Sequence, residues 1–262
     1  MRRLVQAGIV VVLLLTCAGL LLPNICQVRG AAARMQCSNN CKQLVQAWYH
    51  YEGEHDHFLP GTHLNPDLPP EQRLSWVYTL LPYLEQDVIY KSIDRSLAWD
   101  SNVNTNAVNK PIRTLICSTA ADMHAPRTSY LGMAGVGADA ATLPADDPRV
   151  GAFGYDRTLR AVNFADGIEN TMLLMETRSG GPWAQGGPGT VRGLDPANRP
   201  YTGDGRPFDG DHQTGRWWEQ KSRTATIAMC DGSVRMVRDS VAAEVLEALA
   251  TVRGMEVVPG EW

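Results

Sequence analysis

Apolar positions fall into three regimes along this chain. From Leu4 to Leu22 there are 19 residues without a charge, and only Gln6 and Thr16 are neither apolar nor glycine. At about 1.5 Å per residue a helix of that length reaches roughly 28 Å, close to a bilayer's hydrocarbon core. Arg2 and Arg3 precede the run, as in a signal anchor. Two other readings stand beside it. Cleavage after Ala31-Ala32-Ala33 would make the run a signal peptide, though it exceeds the roughly 7–15 apolar residues usual there. Lipidation at Cys17 would need a small residue where Thr16 stands. An uncleaved anchor over residues 1–23, with the remainder exported, is the leading expectation.

The second regime is helical. Cys37, Cys41, Leu44, Trp48 and Tyr51 recur at i, i+4, i+7, i+11 and i+14, one stripe of a helix. The pattern predicts a single helix from Leu4 to about Glu52, with room for a kink at Pro23 and a stop at Gly53. Residues 24–56 are its amphipathic half, and residues 57–262 must supply the surface that covers the stripe.

The third regime is mixed. Helical signals recur at Ser75–Leu84, interrupted by Pro82, at Glu85–Ile93 and at Val241–Arg253. Strands are expected at Arg113–Cys117, Ser129–Ala134, Thr171–Glu176, Thr224–Cys230 and Val234–Val237. The last two flank Asp231-Gly232, which predicts a type I′ hairpin turn. Val136–Asp156 and Ser179–Arg223 read as long surface loops. The expected class is α+β, one long helix packed on an antiparallel sheet.

Composition changes this picture in two ways. The chain has 262 residues, 44% hydrophobic and 20% charged, so it has the makings of a packed core. Its net charge is −4; setting aside residues 1–23 leaves 22 basic against 28 acidic residues, or −6. No electrostatic footprint for nucleic acid is present. Cys17 and Cys26 belong to or border the apolar run, whereas Cys37, Cys41, Cys117 and Cys230 lie beyond it. In an exported domain an even number of cysteines points to disulfides. Cys37 and Cys41 share one helical stripe and should seek partners elsewhere, so Cys37–Cys117 is the preferred bridge, with Cys41–Cys230 by elimination. Buried free thiols are the competing reading.

Candidate chemistry is sparse. His50, Glu54, His55 and His57 crowd the helix exit, but H-E-x-x-H is absent, and a solvated helix end is the better reading. Asp209-Gly210-Asp211-His212, with Asp204 nearby, could offer carboxylates to calcium, as could Asp231, though no EF-hand spacing occurs. Gly132, Gly135 and Gly137 do not form a dinucleotide loop, and no G-x-S-x-G is present. Trp217-Trp218 could stack on a sugar or a partner. No catalytic constellation emerges, so a non-enzymatic protein without a cofactor is expected.

Several blocks are nonetheless familiar. Arg34-Met-Gln-Cys37-Ser-Asn39-Asn40-Cys-Lys-Gln43, Phe58-Leu-Pro-Gly61, Leu80-Leu-Pro-Tyr-Leu-Glu-Gln86, Ile116-Cys117, Thr128-Ser-Tyr-Leu-Gly132, Asp166-Gly-Ile-Glu-Asn-Thr171 and Asp231-Gly232-Ser-Val-Arg235 follow one another in order. Together they resemble a large family of pilin-like proteins of unknown function, abundant in planctomycetes. The resemblance implies a type IV pilin-like N-terminal helix anchored in the membrane, followed by a β-rich head, as in secretion pseudopilins. Two departures matter. Counting back from Pro23, the family's pre-cleavage Gly falls on Met1, its Phe on Arg2 and its Glu on Gln6. Processing by a prepilin peptidase is therefore not expected. The family's C-terminal His, with nine residues between it and Asp-Gly, corresponds to Lys221; His212 fills that place only if Arg216–Thr224 is roughly an insertion.

The leading expectation is a single-pass protein of the inner membrane, its head outside the cytoplasm, meeting other pilin-like subunits, secretion machinery or cargo. An extracytoplasmic solute- or glycan-binding module is the alternative.

Overall fold

The computed structural model describes residues 2–210, 212–214 and 222–255, without the side chains at 2, 4–5, 14–15, 17–27 and 213–214. One helix, α1 (Arg2–His55), opens the chain and runs through Pro23. It ends at Asp56, whose φ of 60° is left-handed, and passes over Gly53. Aspartate tolerates that conformation at a helix exit because its short polar side chain can bond locally.

The stripe read from the sequence is the face α1 buries: Cys37, Cys41, Leu44, Trp48 and Tyr51, joined by Val45 and Ala47. Trp48 stacks on Phe58, centroids 3.7 Å apart and planes within 2°, and Phe164 meets it edge-on at 6.4 Å. Directional bonds fix the register. Asn40 Nδ2 donates to Ile116 O (3.1 Å), Tyr49 Oη to Cys230 O (2.6 Å) and Ser118 Oγ to Ala33 O (3.0 Å). The other end of α1 differs. Ile9, Val10, Val11, Val12 and Leu13 are each more than half exposed, and five successive residues sweep every side of a helix. Among the described residues no helix is long and apolar enough to cross a membrane; more than half of the Leu4–Leu22 side chains lie outside them.

The remaining helices are short: α2 (Trp76–Leu80), α3 (Asp87–Lys91), α4 (Thr105–Val108) and α5 (Ala243–Ala250). Ser75 caps α2, its Oγ accepting Val77 N–H at 3.1 Å. Pro82 then turns the chain into a 3-10 stretch, Leu81–Leu84.

Among the described residues six strands form one sheet: β1 (Tyr130–Val136), β2 (Met172–Glu176), β3 (Val191–Leu194), β4 (His212–Thr214), β5 (Ser222–Met229) and β6 (Val234–Arg238). β5 pairs with β6 along one edge, and with β4 and then β2 along the other. The expected antiparallel sheet is instead mixed, because β3 lies parallel to β1. The α+β class stands. Alternating side chains serve two cores. Tyr130, Ala134, Leu174 and Ala228 face the α1 side, whereas Leu131, Met133, Met175, Ile227 and Met229 pack with Leu246 and Leu249 of α5. The sheet is thus covered on both faces.

Three local expectations change. Arg113–Cys117 is not a strand; Arg113–Leu115 makes a single 3-10 turn, and Ser129 N–H then bonds Leu115 O (2.7 Å). The stretch Ser179–Arg223 contains β3 and β4. The β5–β6 hairpin is not type I′, because only Gly232 has positive φ (87°). Gly232 N–H bonds Met229 O (3.1 Å) and Met229 N–H bonds Ser233 O (2.8 Å). That is the three-residue hairpin closed by a left-handed glycine.

The other long loop is organised around one side chain. Arg157 is buried, and its guanidinium donates to the carbonyls of Leu143 (2.8 Å), Gly151 (3.2 Å), Ala134 and Ala140 (both 3.3 Å), and also Phe153. Burial pulls its pKa down to about 10, so it stays charged at neutral pH.

Candidate functional site

Four elements converge where the buried stripe of α1 begins. Cys37 comes from α1 and Cys117 from the loop after the Arg113–Leu115 turn, where Cys117 N–H bonds Ser129 Oγ at 2.9 Å. Pairing of His212 with Thr224 places the imidazole over the same spot. Glu176 ends β2, with Oε2 accepting Thr226 N–H at 2.8 Å. All four side chains are buried, Glu176 and Cys37 completely.

The atoms are close. Cys37 Sγ lies 2.7 Å from Cys117 Sγ, Cys117 Sγ 3.4 Å from His212 Nε2, and His212 Nε2 3.7 Å from Glu176 Oε1. Cys37 Sγ also receives Ser118 N–H at 3.3 Å, and Cys117 Sγ lies 3.0 Å from Thr119 Oγ1. Both cysteines are free thiols in this arrangement. The Tyr130 hydroxyl is buried beside them without a hydrogen-bond partner.

This packing separates the two thiols electrically. The hydrogen bond from Cys117, outweighing burial and aided by His212 and Ser118, lowers the pKa of Cys37. The same bond, with burial and the Glu176 charge, raises that of Cys117. Burial opposes protonation of His212, yet the bond to Cys37 and the Glu176 charge raise its pKa overall. The packing therefore favours negative charge on Cys37 and a proton on Cys117, and biases His212 toward its protonated form. A thiolate absorbs near 240 nm. Reduced protein should carry such absorbance at pH 7, and it should fade as pH falls through the lowered Cys37 pKa. Cys37→Ser should abolish it, measured by difference spectroscopy against the alkylated chain.

The other candidates are placed differently. Cys41 and Cys230, the other pair expected as a bridge, are separate buried thiols here, and burial raises the pKa of both. Asp209 gives both oxygens to Arg178, at 2.9–3.1 Å, and Asp204 pairs with Arg178 and Arg223. Asp231 is exposed and accepts Ser233 N–H at 2.8 Å. Asp211, Lys221, Trp217 and Trp218 lie outside the described residues. Among the described residues Cys37, Cys117 and His212 form the one group of three placed to share a cation. His55 stacks on Tyr51 at 4.0 Å and Glu54 accepts the Tyr83 hydroxyl at 2.6 Å, which accounts for the helix exit. Of the family-motif positions, Asn40 and His212 are buried, Asn39 and Gln6 exposed, Pro23 internal to α1, and Gly232 in the hairpin turn.

Sequence reasoning singled out both cysteines but not their association with His212 and Glu176. The one available signal was the resemblance, which marked a histidine before Asp-Gly. The closing carboxylate of a strand that is otherwise apolar was another, unused.

An α+β protein with a helix-borne thiol cluster is thus defined. The family model for a protein of unknown function (DUF1559) matches residues 27–244, and the chain belongs to that family. No curated protein and no solved structure matches it.

Proposed function

We propose that this chain is a non-enzymatic, membrane-anchored, pilin-like protein of the cell envelope. Its head stands outside the cytoplasm and meets other subunits, secretion machinery or cargo. The observation that carries the reading is the contrast along α1. The segment from Ile9 to Leu13 is apolar on every side and uncovered, while the segment from Cys37 onward is buried in the head. A helix apolar all round needs an apolar solvent or a partner. Exposed Gln6, standing where the resemblance expects a glutamate, supplies no carboxylate for a neighbouring subunit's N-terminal ammonium. A capping or non-polymerising position fits that difference.

Membrane fractionation tests the anchor. The full chain should stay with membranes through salt and carbonate washes and be released only by detergent. Recovery of a freely soluble form beginning at Arg34 would refute it. A ligand-binding module would instead show itself as a thermal shift with glycans or solutes.

A further inference from the structure

We propose that Cys37 and Cys117 form a reversible dithiol–disulfide couple that exchanges electrons with the dithiol or disulfide of an extracytoplasmic partner. The geometry gives the two sulfurs different tasks. Cys117 and Glu176 help line a cleft of about 350 Å³, walled by Thr119, Ala120, Arg127 and Ser129, whereas Cys37 does not line it. Cys117 is thus the cysteine on the side of the cleft, and its sulfur is assigned as the one attacked. Cys37 is the sulfur placed to leave, because Ser118 N–H points at it from 3.3 Å and can hold the charge it departs with.

The exchange balances. The partner's first thiolate attacks Cys117 Sγ; the bond to Cys37 breaks, and a mixed disulfide forms between the partner and Cys117. Cys37 departs as a thiolate. The partner's second thiol attacks its own sulfur in that mixed disulfide, forming the partner disulfide and releasing Cys117. Two electrons pass to the couple. Of the two protons lost by the partner thiols, one ends on Cys117 and one on His212, 3.4 Å from Cys117 Sγ. The product is the reduced dithiol pair already described. Reversal needs only a disulfide partner. The unpartnered Tyr130 hydroxyl beside Cys37 is a further donor facing this charge.

The thiol chemistry does not need the anchor, since all its members lie in the head or the buried part of α1, whereas the partner's extracytoplasmic location rests on the proposed export of the head. The test uses the full chain in detergent, equilibrated in glutathione buffers of graded oxidation, acid-quenched, alkylated and mapped. A Cys37–Cys117 cross-linked peptide should appear and disappear as a two-electron titration. Cys37→Ser should trap one glutathione on Cys117, at least about tenfold faster than Cys117→Ser traps it on Cys37. Three results would overturn the proposal: free thiols at the most oxidising ratio, equal trapping by the two variants, or one zinc per chain that must be chelated before Cys37 reacts. The wild-type titration stands even if a variant misfolds.

Discussion

Trp48→Ala is expected to lower the unfolding free energy by about 3–5 kcal/mol, the range for deleting a large buried aromatic side chain. Native domains have about 5–15 kcal/mol in total, so this one change should bring the head close to its limit. Trp48 is almost wholly buried, lies flat on Phe58 and touches Phe164, so truncation opens a void between α1 and the segment returning from it. The effect separates two pictures of α1. If the helix were a stalk attached to an independently folded head, the alanine variant would melt like wild type. If its outer half is part of the core, the urea midpoint falls with the slope unchanged. Trp48→Phe is the control. The indole Nε1 has no hydrogen-bond partner, so phenylalanine removes an unsatisfied donor while keeping a ring, and the loss should be far smaller.

Arg157→Met is expected to cost about 3 kcal/mol or more, because several carbonyls buried around one guanidinium lose their donor together. Those carbonyls belong to β1 and to the stretch running from Ala140 to Phe153, so the damage should be local first. Hydrogen exchange should accelerate around residues 136–156 before the far face of the sheet responds. Uniform acceleration across the sheet would show instead that Arg157 stabilises the whole fold. Arg157→Lys should recover little, since an ammonium cannot reach five acceptors in the plane a guanidinium spans.

These two residues also show where the sequence was readable. Trp48 belongs to a stripe whose spacing is a property of the helix itself, so the buried face of α1 could be read without knowing what covers it. β1, β2, β5 and β6 announced themselves through apolar side chains in short runs. β3 and β4 could not. Val191-Arg-Gly-Leu194 carries two residues poor for a strand, and His212-Gln-Thr214 has no apolar side chain; both exist through their neighbours' backbone bonds. Arg157 looked like one more loop charge, because its acceptors are backbone groups that leave no trace in side-chain pattern. The thiol site was half legible. Cys37 and Cys117 were paired by helix geometry, yet Glu176 and His212 join them only after the chain crosses the sheet several times.

At about 1.5 Å per residue the 54 residues of α1 make a rod of roughly 80 Å. The head is fastened to it from Ala33 onward, where Ser118 Oγ bonds the Ala33 carbonyl, and the 31 helical residues before that point form an arm of roughly 47 Å. The turn from Ala33 to Cys37 is then the fulcrum. A sideways load on the far end of that arm acts with long leverage on the first buried turn, which is fastened to the loop carrying Cys117 and Ser118. A covalent link there would carry such torque into the sheet. With the two sulfurs as separate thiols, Asn40 and Trp48 take up the same load one to three turns further along.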